Sequence, residues 1–202
     1  VSTPARRRDA VENRAGIVDA ATAAIGRDPR ASIAAIAARA GLSRRALYGH
    51  FDDRDAIVRE VIAAGAARFN AIADRIDDAD SRLALARLAS ELWREAAHVQ
   101  AAASLALDDA HVSETAASLA PLRRRIDGIV RRGQDAGELR TDLSAPTLSR
   151  LLEETGRMVV TRVDAESSAA REIAITAVLG IAGLSWTEAR RLITQHPDLE
   201  AQ

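Results

Sequence analysis

The stretch SIAAIAARAGLSRRALYGHF, Ser32 to Phe51, decides how the N-terminal part of this chain folds, because it spells two short helices joined by a tight turn. Ser32 is placed to cap the first helix, and Ile33, Ile36 and Ala37 follow at helical spacing. Gly41 supplies the backbone freedom that a sharp turn needs, and Ser43 caps a second helix of about two turns. That helix carries Arg44 and Arg45 in its first turn, Tyr48 and His50 near its end, and Leu47 and Phe51 as inward anchors. The layout is a helix-turn-helix, a unit that crosses the DNA backbone with its first helix and lays the N-terminal residues of its second along base edges in the major groove.

Composition agrees with an all-α protein. Ala, Leu, Arg, Glu and Asp dominate, aromatic residues are scarce, and no long alternating Val/Ile/Thr/Tyr runs occur. A chain of 202 residues is long enough to bury a core and short enough for one or two domains. With no cysteine, no apolar run of membrane-spanning length and no signal-peptide layout, the expectation is a soluble, cytoplasmic protein with no disulfides and no membrane partner. Every basic residue is arginine. Residues 1–54 hold ten arginines and six acids, net +4, whereas the remaining 148 hold 18 arginines and 23 acids, net −5. A basic head on an acidic body suits a protein that approaches phosphates with one end.

Helical periodicity organises the rest. A first helix near Asp9 to Ile25 puts Ile17, Val18, Ala21 and Ile25 on one face and ends at Asp28-Pro29. After Asp52 or Asp53 as cap, a long helix runs from about Arg54 to Ile76. The next, from about Ser81 to Val99, stripes Leu85, Leu88, Ala89, Leu92 and Ala96, with Trp93 at the edge. A shorter segment near Ala101 to Asp109 follows, then a helix from roughly Ser118 to Ala136 with Leu119, Leu122, Ile126, Ile129 and Val130 on one face. Pro146 opens a helix that gathers Leu148, Leu151, Leu152, Thr155, Met158, Val159 and Val163 on one face, with Glu153 and Arg157 as a solvated i,i+4 pair opposite.

The last helix, about Ser168 to Thr194, is apolar round nearly its whole circumference and must be buried on more than one side. Thr176, Gly180, Gly183 and Thr187 share one narrow sector, a flat stripe where another helix approaches closely. Two glycines inside a helix cost about 1 kcal/mol each relative to alanine, and tight packing there is a compensation. The last two helices are therefore expected to pair with their copies as a four-helix homodimer interface, through Leu151, Leu152, Thr176, Gly180, Gly183, Leu184 and Thr187. Burial inside one subunit is the alternative.

The elements Ile36-Ala37, Ala40-Gly41-Leu42-Ser43, Leu47-Tyr48, His50-Phe51 and Arg54, in this spacing, closely resemble the DNA-binding domain of TetR-family transcriptional regulators. The resemblance implies an all-α protein with an N-terminal three-helix helix-turn-helix domain, residues 1–53, and a C-terminal helical ligand-binding and dimerisation domain, residues 54–202. It makes the helix from Arg54 the strut between them, gives Arg54 a phosphate contact, and assigns Ser32, Tyr48 and His50 to backbone positioning. Gly133 to Leu143, GQDAGELRTDL, resembles the linker that many members place before their last two helices. The chain departs from the family at Arg45 and Ala46, where Gly and Thr are common, so base contacts from a threonine hydroxyl do not carry over. Arg44 and Arg45 take base edges or nearby phosphates instead, since arginine bonds guanine bidentately. Ser43 sits beside them, and Gly49 permits close approach to DNA. Arg6 to Arg8 either reach a neighbouring groove or form a solvated arm. A twofold dimer reads half-sites about 34 Å apart or somewhat more, so the operator is a palindrome or near-palindrome of double-stranded DNA.

In the family, helices between strut and dimer interface enclose an apolar pocket, and a small molecule that prefers the non-binding arrangement releases the DNA. Trp93, His98, Leu105, Asp108, His111 and Met158 fall in that part of the chain and are the candidate pocket wall. Asp108 and His111 have an i,i+3 spacing, but two ligands make no metal site, and neither metal nor cofactor is expected. Without a cysteine nucleophile, glycine-rich phosphate loop or His-Glu-x-x-His run, and with the four histidines dispersed, the chain does not read as an enzyme. The expectation is a homodimeric transcriptional regulator, a repressor released by a small apolar effector. The alternative is an all-α ligand-binding or interaction protein that no longer binds DNA. Arg44, Arg45, Tyr48, His50 and Arg54 argue against it, since a relic has no reason to keep the contacting chemistry.

Overall fold

Ser32 and Ser43 cap the two short helices in the computed structural model, which describes residues 4–97, 111–164, 167 and 169–200. Among the described residues all regular structure is helical: α1 (Pro4–Arg27), α2 (Ile33–Arg39), α3 (Arg44–Tyr48), α4 (Arg54–Arg75), α5 (Ser81–Ala97), α6 (Val112–Ser118), α7 (Ala120–Asp135), α8 (Ala145–Arg162), α9 (Ala170–Ala182), α10 (Trp186–Gln195) and a 3₁₀ turn (Pro197–Leu199). No helix among them is long and apolar enough to cross a membrane. The chain forms two compact units, residues 4–66 with 111–117 and residues 67–97 with 118–200. The segment near Ala101 to Asp109 lies outside the described residues.

The first unit is built on the face that periodicity picked out. Ile17, Val18, Ala21 and Ile25 of α1 meet Ile36 and Ala37 of α2, Leu47 of α3, Phe51, and Ile57, Val58, Val61 and Ile62 of α4 in one core. Hydrophobic burial of this kind outweighs the weak intrinsic stability of helices as short as α2 and α3. Gly41, at φ +68°, turns the chain between them. Asp53, not Asp52, starts α4, its carboxylate accepting the Ala56 amide at 2.7 Å.

In the second unit the core joins Ile72, Ala73 and Ile76 of α4 with Leu85 and Leu88 of α5, Leu122, Ile126, Ile129 and Val130 of α7, Leu148 and Leu152 of α8, and Ile175 and Leu179 of α9. Asp80 begins α5, accepting the amides of Arg82 at 2.8 Å and Leu83 at 3.3 Å. The Arg82 guanidinium, bonded to the same carboxylate, holds the Asp80 carboxyl below its ordinary range despite partial burial. Pro121 lacks an amide proton at the start of α7, and Asn70 serves that end: its side chain accepts the Leu122 amide at 3.1 Å and donates to the Ser118 carbonyl at 2.9 Å.

Three expectations are corrected here. The last helix is not continuous, because Gly183 takes φ +109° and ends α9, and α10 restarts after Ser185. Thr176, Gly180, Gly183 and Thr187 are therefore not one helical stripe. A left-handed turn re-aims everything beyond it. Glu153 does not pair with Arg157. It bonds Arg123 at 2.7 Å, and Arg157 pairs with Glu154. The single broad face of α8 divides, with Leu148, Leu152 and Val159 buried and Leu151 and Met158 exposed.

Candidate nucleic-acid interface

The helix-turn-helix presents its charged side by burying the opposite one. Leu47 and Phe51 are in the core, so α3 must turn Arg44, Arg45 and Tyr48 outward. Arg44 and Arg45 are exposed and Tyr48 keeps 52% of its surface accessible. The caps are local and simple: Ser32 Oγ accepts the Ala35 amide and Ser43 Oγ accepts the Ala46 amide, both at 3.2 Å. Gly49 is exposed at the end of α3, and His50 is half-buried behind it. Arg27, Arg30, Arg39, Arg44 and Arg45 are all exposed, and no ion pair neutralises them among the described residues. The head thus carries positive charge free to meet phosphates or base edges.

Arg54 is committed within the protein. Its Nε donates to the Ala31 carbonyl at 3.0 Å and its Nη2 to the Pro29 carbonyl at 2.6 Å, tying the start of α4 to the loop before α2. Any phosphate contact comes on top of that duty. Sequence reasoning passed over Arg14. From α1 its Nη1 donates to the His50 carbonyl at 2.7 Å and its Nη2 to Glu60 Oε1 at 2.7 Å, while the guanidinium lies 4.2 Å from the centroid of the Phe51 ring. The available signal was an arginine one turn before Ile17 and Val18, at the end of the apolar face of α1.

Of the candidate pocket wall, Trp93, His111 and Met158 are among the described residues. Trp93 is buried in the second unit with Val159, Ala170 and Ala174. His111 belongs to the first unit, where it is 7% exposed and its Nε2 lies 2.9 Å from Asp55 Oδ1. Met158 is 54% exposed on the outer side of α8, because its periodic partner is Leu151 and not the buried Leu152. His98, Leu105 and Asp108 lie outside the described residues. An open groove of about 350 Å³ in the second unit is lined by Arg68, Ile72 and Arg75 of α4 and Glu91, Arg94 and Glu95 of α5. Arg68 pairs there with Glu95 at 2.5 Å and Arg94 with Glu91, so the groove is largely charge-balanced.

The proposed interface residues also separate. Leu152 is core, Leu184 is half-buried against that core, and the Thr176 hydroxyl donates to the Glu172 carbonyl at 2.7 Å. Gly183 forms the turn and Thr187 is exposed on α10. Leu151 and Gly180 remain exposed on α8 and α9, joined by Met158 and Ile173, while Trp186 of α10 keeps 69% of its surface accessible.

Residues 17–61 match the family model described as bacterial regulatory proteins, tetR family. Among solved structures, the chain is similar to the TetR family transcriptional regulator PfmR from Thermus thermophilus, at 20% identity and TM-score 0.70, over 84% of this chain and 98% of that one. A TetR transcription regulator from Haloarcula marismortui is similar at 19% identity and TM-score 0.71, over 85% and 97%. The transcriptional regulator FadR from Bacillus subtilis, solved in complex with stearoyl-CoA, is similar at 18% identity and TM-score 0.67, over 84% and 98%. These likenesses extend the shared fold well beyond the matched segment. No curated protein matches the sequence significantly.

Proposed function

We propose that the chain, whose residues 17–61 match the model of the tetR family of bacterial regulatory proteins, is a homodimeric repressor, released from a palindromic operator by a small, predominantly apolar effector. On this reading it is a DNA-binding transcription regulator and not an enzyme, which the family match supports. The observation that carries the reading is the pair Arg44 and Arg45, exposed and, among the described residues, unpaired in the first turn of a capped recognition helix. Guanidinium forks in that position suit guanine edges, and Ser32, Ser43, Tyr48, Gly49 and His50 line the same unit for backbone contacts. On this reading residues 1–53 bind DNA, residues 54–202 regulate and dimerise, and α4 links the two functions. Selection from a random-sequence duplex pool tests it: the expected winners are inverted repeats. No enrichment over input would favour a helical body that no longer binds DNA.

Dimerisation is supported by the large apolar side chains left in water on α8 and α9, Leu151, Met158 and Ile173, with the exposed Gly180 on α9. A twofold contact between two such helix pairs makes a self-complementary interface. Met158→Glu with Ile173→Glu puts like charges into that contact without touching the core, and sedimentation is expected to show a monomer of unchanged helicity. A variant that still sediments as a dimer would place the interface elsewhere.

For the effector, kinship with a regulator solved with stearoyl-CoA supports an apolar ligand. Release requires that the ligand bind the arrangement unable to grip DNA more tightly than the gripping one, since equal affinity shifts nothing.

A further inference from the structure

We propose that Arg14, which lies outside both the helix-turn-helix and the matched segment, is a positioning residue of the DNA-reading surface. This role rests on the DNA-binding reading above. A recognition helix as short as α3, five residues from Arg44 to Tyr48, has little intrinsic stability and no length with which to hold its own angle. Its N-terminal end is fixed by the Ser43 cap. Its C-terminal end, where Phe51 is buried, receives two further contacts from one side chain on another helix, which also reaches α4. The Arg14 fork donates to the His50 carbonyl, pairs with Glu60 of α4, and covers the Phe51 ring. One guanidinium therefore ties α1, the end of α3 and α4 together.

The geometry uses what distinguishes arginine. Two nitrogens of one planar group point at a backbone carbonyl and a carboxylate at once, while the same plane lies against an aromatic ring. The ion pair with Glu60 is half-exposed and by itself contributes little, so the weight falls on the carbonyl bond and the ring contact, which act directly on residues 50 and 51. Freed of the clamp, α3 would pivot about its buried anchors, Leu47 and Phe51. Phosphate attraction depends on charge and tolerates such a pivot, whereas base-edge contacts depend on angle and do not. The consequence is specific: Arg14 governs discrimination between operator and other DNA more than total affinity.

The test uses the full chain, wild type against Arg14→Met, Arg14→Lys and Glu60→Gln. In the absence of DNA, amide hydrogen exchange at His50 and Phe51 is expected to accelerate roughly tenfold in Arg14→Met, while the buried amides of α1 stay as in wild type. Unchanged exchange at those two amides would overturn the clamp whatever the protein binds. With DNA, the ratio of affinities for the selected site and a scrambled duplex at fixed salt is expected to fall roughly tenfold in Arg14→Met. Arg14→Lys keeps the charge but not the fork, so the ratio is expected to fall there too, while binding to scrambled DNA stays within about twofold. Glu60→Gln removes the anchoring charge alone and is expected to lie between. An undiminished ratio in Arg14→Met, or a full return to the wild-type ratio in Arg14→Lys, would overturn the role. Wild-type protein that selects no site would overturn the DNA-binding reading and this role with it, an outcome distinct from wild-type selection retained by the variants.

Discussion

Replacing Arg44 and Arg45 together by alanine is expected to cost the protein its preference for one DNA sequence while leaving the head folded. Both side chains are exposed and unpaired among the described residues, so their removal strands no buried partner, and surface changes of this kind move stability by only about 0.5 kcal/mol. A bidentate contact to the right base is worth about 1–3 kcal/mol of discrimination, and a twofold dimer loses each contact twice. Affinity for the selected site should therefore fall by about two orders of magnitude or more. The salt dependence should flatten as well, because two positive charges leave each chain, four in the proposed dimer. Anisotropy titrations against the selected and scrambled duplexes, with circular dichroism to confirm helicity, check this. A double variant that kept its site preference would remove α3 from the reading surface.

The second large effect is expected in the body, at Gly183→Val. The backbone there is at φ +109°, where side chains are strained, and a Cβ would stand 2.8 Å from the Arg140 Cβ and 3.2 Å from the Arg140 nitrogen. That nitrogen cannot retreat freely, since it donates to the Ala182 carbonyl at 3.0 Å and so closes the end of α9. Strain plus the lost cap should cost about 3 kcal/mol, equivalent to a melting temperature lower by about 6–12 °C in a chain of this size. A thermal scan showing less than about 2 °C of change would mean the turn relaxes more easily than its contacts imply. Gly180 makes the contrast. A Cβ there meets nothing within 4 Å, so Gly180→Leu should keep the fold and report on dimerisation alone.

Those two glycines also mark where sequence reading works and where it stops. Caps and turns are local chemistry, and Ser32, Gly41 and Ser43 were legible because each acts on residues within three positions of itself. A glycine in an apolar helical pattern has two meanings, a small residue on a packing face or a left-handed stop, and periodicity prefers the first. The second was written next to it, in the Ser185-x-x-Glu188 capping box that restarts the helix, where each side chain accepts the other's backbone amide. Periodicity also could not divide the broad face of α8, since the exposed Leu151 is next to Leu152 and one turn from Leu148, both buried.

What sequence did not disclose at all is long-range. Arg14 meets partners 36 and 46 positions away, and nothing local to it announces them. The candidate pocket residues share a stretch of chain, and a shared stretch does not by itself bring side chains together. Trp93 and His111 accordingly fall in different compact units. The layout of the helix-turn-helix was legible because such a unit compresses its whole surface into about 20 consecutive residues, where spacing and geometry are nearly the same information.

The proposed function rests on the surface from Ser32 to Arg54 reading double-stranded DNA. Its most direct test is the affinity of the full chain for its selected duplex across a salt series, with scrambled duplex as competitor. A saturable complex that survives the competitor, with log affinity falling steeply and linearly as log salt rises, is the result expected of an arginine surface that displaces counterions. Affinity equal for both duplexes, or insensitive to salt, would contradict it.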